Sequence, residues 1–308
     1  MPRAAKSESL SKLQKLATEA VLPASRALDA MPSRQIVALM HREDRNAVRA
    51  VGRALPAIAR AVEVMVERWQ RGGRLIYVGA GTSGRLGVLD ASECPPTFHV
   101  PASRIRGVIA GGDKALVAAS EDAEDHAALG RRDLERIGVG ASDVVVGIAA
   151  SGRTPYTIGA LHYARKKGAA TIAVACTRNS PLARAAEIAI EAVTGAEVVS
   201  GSTRLKAGTA QKLILNMLST AAMARAGRVY GPWMVEVRAS NAKLRGRAAR
   251  ILAQAAGMEL KAAEKKLKRA GGDLKLALMA ELGRVSLQEG RARLAKAKGN
   301  IRQALGRM

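Results

Sequence analysis

Leu75-Ile76-Tyr77-Val78, followed by Gly79-Ala80-Gly81-Thr82-Ser83-Gly84-Arg85, is the stretch whose reading decides the fold. A short unbroken apolar run bounded by glycine fits a strand buried on both faces, and a helical pattern begins at Gly84. The same texture returns at Gly107 to Ala110, Val144 to Ile148, Thr171 to Ala175 and Ile188 to Glu191. Apolar strands alternating with helices predict an α/β protein with a parallel sheet flanked by helices on both faces. One short element recurs: Ser83-Gly84-Arg85 and Ser151-Gly152-Arg153 each follow a buried strand and lead into a helix.

Outward from this sheet the texture changes. Residues 1–71 read as a helical N-terminal arm, with apolar spacing of three and four over Ser33 to Leu39 and Asn46 to Trp69, broken by Pro23, Pro32 and Pro56. After Asn241 the strand signal stops. Helical patterns follow at Leu244 to Ala256, Glu259 to Ala270, Asp273 to Leu282 and Ser286 to Lys298, punctuated by Gly271-Gly272 and Gly299. The expected division is an arm over 1–71, a sheet domain over 72–242 and a small helical C-terminal module over 243–308.

With 308 residues, 48% hydrophobic and 25% charged, the chain has the composition of a globular protein with a sizeable core. The longest stretch without a charge, Leu213 to Ala224, falls far short of the roughly 20 apolar residues a membrane helix needs. The beginning of the chain, through Lys6, Glu8, Lys12 and Lys15, shows no apolar core of a secretory signal, so a cytoplasmic location is expected. Cys94 and Cys176 then read as free, buried thiols.

The net charge of +24 invites a nucleic-acid reading, but it is unevenly spread. Residues 243–308 hold 17 basic and 5 acidic residues, a local +12, against 20 and 14 over 72–242, or +6. Only seven aromatics (Trp 2, Tyr 4, Phe 1) are available for base stacking, and no finger spacing or RNA-binding signature is present. A solvated basic surface that attracts anionic metabolites is the better reading.

Two loops have the chemistry of phosphate sites. Gly79 to Gly84 formally matches the dinucleotide pattern G-x-G-x-x-G, but no Asp or Glu occurs from Pro95 to Ala110, where the ribose-binding acid belongs. Gly147 to Thr154 nearly fits the nucleoside-triphosphate loop, with Arg153 in place of its lysine. What they share is glycines for close approach, amides at a helix start and hydroxyls that donate to phosphate oxygens. A third hydroxyl-rich stretch, Gly201-Ser202-Thr203-Arg204, opens another helix. Any one of these is equally readable as capping serines and turn glycines; three together favour a phosphomonoester site on a small metabolite.

Two carboxylates stand out. Glu93 falls where Pro95 and Pro96 are expected to end a helix, and an acid at a helix C-terminus is disfavoured as the anion, which suits a proton donor. Glu124 lies in Glu121-Asp122-Ala123-Glu124-Asp125, where mutual repulsion favours protonation of one member, or where a solvated helix start simply collects acids. His41, His99, His126 and His162 stand apart without metal-ligand spacing, and no G-x-S-x-G elbow occurs.

Taken together, Gly79 to Pro96 (GAGTSGRLGVLDASECPP), Ile109-Ala110-Gly111-Gly112, Glu124-Asp125, Val144 to Tyr156 (VVVGIAASGRTPY), Gly195 to Asn216 (GAEVVSGSTRLKAGTAQKLILN) and Asn241-Ala242-Lys243-Leu244 closely resemble the N-acetylmuramic acid 6-phosphate etherases. These are sugar-isomerase-type (SIS) phosphosugar-binding proteins, and the similarity runs over roughly residues 18–305. The resemblance implies a flavodoxin-like α/β sandwich and cleavage of the lactyl ether of N-acetylmuramic acid 6-phosphate. It also implies a homodimer and neither metal nor organic cofactor. It puts the proton donor at Glu93, a second active-site glutamate at Glu124, and phosphosugar contacts at Gly81, Thr82, Ser83, Ser151, Thr154, Ser202 and Thr203. The family's early T-E-x-x-N pattern survives only as Thr18-Glu19, with Leu22-Pro23 following, and N-L-M-V-D appears as Pro232-Trp233-Met234-Val235-Glu236.

Two other functions fit parts of the pattern. A non-catalytic phosphosugar-sensing regulatory protein would keep the loops, as the similar glucokinase regulatory protein does. A phosphosugar-responsive DNA regulator would need a helix-turn-helix domain, and residues 1–71 show no clear one. No nucleic-acid or membrane partner is expected.

Overall fold

The computed structural model describes residues 18–118, 120–237 and 242–306; Lys6, Glu8, Lys12, Lys15 and Asn241, read above, lie outside the described residues. Helix α1 (Ser33–Gln70) leads into β1 (Leu75–Gly79), α2 (Gly81–Phe98) and β2 (Ile105–Ile109). Then come α3 (Glu121–Glu124), α4 (Ala127–Arg136), β3 (Val144–Ile148), α5 (Pro155–Lys166), β4 (Ala170–Ala175), α6 (Pro181–Ala185), β5 (Ile188–Glu191) and α7 (Lys206–Arg225). A two-residue hairpin, β6 (Val229–Tyr230) and β7 (Trp233–Met234), precedes α8 (Ala242–Ala256), α9 (Leu260–Arg269), α10 (Leu274–Gly283), α11 (Leu287–Lys296) and α12 (Ile301–Ala304).

The five long strands form one parallel sheet in the order β2-β1-β3-β4-β5, as the unbroken apolar runs require. β1, β3 and β4 are buried at every position, and helices supply the cover: Tyr156, Ala160, Leu161 and Ala164 of α5 and Leu134 of α4 pack with Ile76, Val78 and Val145. Each of the Leu, Ile and Val side chains contributes roughly 1.5–3 kcal/mol by leaving water. The order has one reversal: from β1 the chain steps to β2 on one side, then crosses to β3 on the other. In parallel sheets the loops at the carboxyl ends of such a strand pair diverge and leave a crevice.

The amino ends of the same two strands are clamped. Arg74, just before β1, donates to both carboxylate oxygens of Asp143, just before β3, at 3.1 and 2.6 Å, and its own backbone N–H joins at 2.9 Å. Burial alone would raise the Asp143 carboxyl, but the Arg74 guanidinium and the amides of Gly140 and Arg74 hold it below the usual carboxylate range.

Prolines correct the sequence reading in two places. α1 is a single helix of 38 residues with Pro56 inside it, where a break was expected. A buried stripe, Val51, Ala54, Ile58, Ala61, Val62 and Met65, continues at helical spacing on both sides of Pro56, and that burial outweighs the roughly 3 kcal/mol cost of an internal proline. Likewise α2 starts at Gly81, ahead of Gly84, and runs through Pro95 and Pro96 to Phe98. Ala91, Cys94 and Phe98 are buried along one side, and Thr97 Oγ1 donates to the carbonyl of Glu93 at 2.7 Å, one turn back along the helix. Glu93 therefore stands five residues inside the helix, beyond the last turn in which the helix dipole acts strongly.

The chain forms two compact units, Met1–Ser92 with Ser103–Ser219, and Glu93–Ala102 with Thr220–Met308. The second has its own core, with Leu252, Leu267, Leu274, Leu278 and Ile301 buried together. α9 shows where its basic excess goes: Ala263 and Leu267 turn inward while Lys261, Lys265, Lys268 and Arg269 are exposed. No helix among the described residues is long and apolar enough to cross a membrane.

Candidate functional site

The carboxyl ends of β1 and β3 lie side by side, Gly79 opposite Ile148, so the two S-G-R loops leave adjacent strands at the crevice. Loop one turns straight into α2. Gly79 and Gly84 make this possible: a Cβ on Gly84 would sit 2.7 Å from the Gly79 carbonyl oxygen and 2.6 Å from Ile109 Cγ1. Gly81, Thr82 and Ser83 form the first turn of α2, whose amides have no acceptor within the helix and suit an anion.

Ser83 is buried, and its Oγ lies 3.0 Å from Gln211 Oε1 on α7. Beside it, a Cβ on Gly208 would stand 3.6 Å from Thr82 Cγ2 and 3.6 Å from the Thr203 carbonyl oxygen. Loop one and the hydroxyl stretch before α7 are thus neighbours. Arg85 donates to the carbonyls of Leu116 (3.1 Å) and Ala118 (2.8 Å), tying α2 to the segment ahead of α3.

Loop two is built differently. Ser151 Oγ accepts from the Arg153 N–H at 3.3 Å, which leaves its own proton to donate outward. Pro155 sets the start of α5, so Ser151, Gly152 and Arg153 all precede the helix. Thr154 Oγ1 donates to Glu124 Oε1 at 3.0 Å. Within the acidic cluster Glu121, Asp122 and Asp125 are exposed, whereas Glu124 is half-buried and turned toward loop two.

Ser202 and Thr203 lie half-exposed before α7. The preceding turn is held by the start of the described chain: the Gly201 N–H donates to the Thr18 carbonyl (3.2 Å) and Ser200 Oγ to that of Glu19 (3.0 Å). The surviving Thr18-Glu19 of the early pattern therefore supports this stretch. The start of α7 is already occupied, because buried Glu197 accepts from the N–H groups of Ala207 (2.9 Å) and Lys206 (3.3 Å). Burial raises the Glu197 carboxyl despite those amides and the nearby Lys206 charge. Its carboxylate takes the place an anion would take at those two amides.

Glu93 is exposed, on the part of α2 that belongs to the second unit. In that unit Glu236, at the altered N-L-M-V-D position, accepts from Lys275 (2.6 Å) and Arg228 (3.2 Å). Both cysteines are buried and outside any disulfide, and burial followed by the Glu197 charge pushes the Cys176 thiol up to about 12, which removes it as a nucleophile at neutral pH. Among the described residues, no group of three His, Cys, Asp or Glu is placed to hold a metal ion.

The sequence reading does not single out Gln211 or Glu197. One signal for Gln211 exists: Ala207, Ala210, Gln211, Ile214, Leu215 and Leu218 form one buried helical stripe, and Gln211 is its single amide.

A five-stranded parallel sheet with hydroxyl-bearing loops at its reversal point is the architecture of a SIS domain, and the family models agree. The model described as SIS domain matches residues 133–221, and that of the glucokinase regulatory protein N-terminal SIS domain matches residues 57–165. Among curated proteins, the N-acetylmuramic acid 6-phosphate etherase of Rubrobacter xylanophilus is 52% identical over 96% of this chain and 97% of its own. That of Streptomyces coelicolor is 51% identical over 96% and 95%. The chain belongs to the N-acetylmuramic acid 6-phosphate etherase family. Among solved structures, a phosphoheptose isomerase from Francisella tularensis matches 63% of this chain and 100% of its own with a TM-score of 0.48 at 18% identity.

Proposed function

We propose that this protein cleaves the D-lactyl ether of N-acetylmuramic acid 6-phosphate, giving N-acetylglucosamine 6-phosphate and D-lactate, in the catabolism of cell-wall amino sugar. The observation that carries this reading is identity of about half the residues to etherases across nearly the whole of both chains. In the ring-opened sugar the aldehyde at carbon 1 acidifies the proton on carbon 2. Loss of that proton and departure of lactate from carbon 3, its oxygen protonated, leaves a double bond between carbons 2 and 3. Water then adds its hydroxyl to carbon 3 and a proton returns to carbon 2, so the balance is ether plus water to alcohol plus lactate.

This scheme needs one group to protonate the leaving oxygen and one to move the carbon-bound proton. Glu93 is assigned the first role and Glu124 is the second active-site glutamate. Thr154, bonded to Glu124, orients its carboxylate. The α2 amides at Gly81, Thr82 and Ser83, with the hydroxyls of Thr82, Ser83, Ser151, Ser202 and Thr203, receive the phosphate and sugar. No cofactor or metal enters the scheme. The reading places the enzyme in the cytoplasm as a homodimer, for which light scattering should return twice the chain mass.

The test is D-lactate release from N-acetylmuramic acid 6-phosphate in EDTA, beside Glu93→Gln. Release by the wild type and none by the variant is the expected result. A folded wild type that binds N-acetylglucosamine 6-phosphate yet releases no lactate would turn the reading to a phosphosugar sensor, which the etherase relatives do not favour.

A further inference from the structure

Buried amides with one end unused are uncommon, because an orphaned donor forfeits its bonds to water without replacement. Gln211 is such a residue: it is 1% exposed, its Oε1 lies 3.0 Å from Ser83 Oγ, and its Nε2 has no partner among the described residues. In this arrangement Ser83 donates its only proton to Gln211, leaving none for an anion in the crevice. A half-turn of the carboxamide exchanges its two ends almost without moving an atom's position. Nε2 then donates to Ser83 Oγ, the Ser83 proton turns to the crevice, and the unpartnered group becomes a carbonyl oxygen, which is the more tolerable orphan.

We propose that Gln211 is a positioning residue for phosphosugar binding, which by donating from Nε2 to Ser83 Oγ makes that hydroxyl a donor to the phosphate. The phosphate dianion offers only acceptors, so it selects this orientation of the amide and satisfies both hydroxyl and Nε2 in one step. The proposal rests on Ser83 being a phosphosugar contact, as assigned above. It explains why a glutamine interrupts the apolar stripe of α7 at the turn that passes loop one.

The experiment is calorimetric titration of N-acetylglucosamine 6-phosphate into wild type, Gln211→Met, Ser83→Ala and the double variant, with lactate release followed in parallel. Gln211→Met should weaken binding about ten-fold and raise KM alike, with kcat within about two-fold. Ser83→Ala should weaken it at least as much, and the double variant should bind no worse than Ser83→Ala alone. Wild-type affinity in Gln211→Met, or the same loss in both backgrounds, overturns the proposal. If Gln211→Met does not fold, Gln211→Leu takes its place: an uncharged side chain that neither donates to nor accepts from Ser83 should lose affinity only while Ser83 is present. Coupling in binding without lactate release from the wild type sinks the etherase reading and leaves Gln211 in place; lactate release without coupling does the reverse. A wild type that binds no phosphosugar sinks both.

Discussion

Ser83-Gly84-Arg85 and Ser151-Gly152-Arg153 are the same three residues after adjacent strands, yet they are folded and employed differently. The first lies inside α2, its serine buried against Gln211 and its arginine spent on the carbonyls of Leu116 and Ala118. The second lies ahead of α5, its serine half-exposed and turned back on the Arg153 amide, and its glycine at φ +63°. Loop one is coupled to an amide that sets a donor, loop two to a carboxylate through Thr154. A tripeptide therefore does not carry its conformation: Pro155 delays one helix, and the Gly79 and Gly84 contact lets the other begin at once.

If loop two serves chemistry and loop one serves binding, the largest effect belongs to the loop-two carboxylate. Glu124→Gln should lower kcat by about 10²-fold or more, with a much smaller change in KM; a variant with wild-type kcat would erase the distinction. Next come the two glycines, each costing about 2–3 kcal/mol on replacement by alanine in denaturant unfolding. Gly84→Ala meets Ile109 Cγ1 and the Gly79 carbonyl, whereas Gly152→Ala meets Ser180 Oγ at 2.3 Å, so Ser180→Gly should restore about 1 kcal/mol to Gly152→Ala and nothing to Gly84→Ala. No rescue of Gly152→Ala would show that backbone strain at φ +63°, not the neighbour, governs loop two.

A smaller contrast separates the hydroxyls. Ser83→Ala should raise KM about ten-fold with little change in kcat, and Thr154→Val should lower kcat about ten-fold with little change in KM. Swapped signatures would reverse the roles of the loops. The smallest effect lies at the other end of the same strands. Because the Asp143 carboxyl is held low in the folded chain, its contribution is complete above the ordinary carboxylate value of about 3.9 and is lost as pH falls through its own lower value. Unfolding midpoints of wild type and Asp143→Asn should converge on acidification, and a gap that stays constant with pH would contradict the pairing with Arg74.

The sheet was legible because burial on both faces writes itself into sequence as unbroken apolar runs between glycines; β3 and β5 coincide with their expected spans and the others differ by one or two residues. The hairpin at Val229–Met234 escaped notice, since strands of two residues have no periodicity to read. Prolines misled twice, at Pro56 and at Pro95-Pro96, because a local penalty was weighed without the burial that opposes it. At the candidate site, residue types were readable and partnerships were not. Ser83 and Gln211 are 128 positions apart, Thr154 and Glu124 are 30, and no local pattern records either bond. The expectation of helix-start amides at all three stretches failed at α7, where Glu197 holds them from within the fold.

The placement of β1 between β2 and β3 has a consequence for how the protein is born. Its partner β3 is 69 positions further along. At a synthesis rate of roughly 5–20 residues per second, an apolar strand that ends wholly buried waits on the order of ten seconds at the ribosome before its second neighbour exists. At the start of that interval α1, with its apolar stripe, is already made.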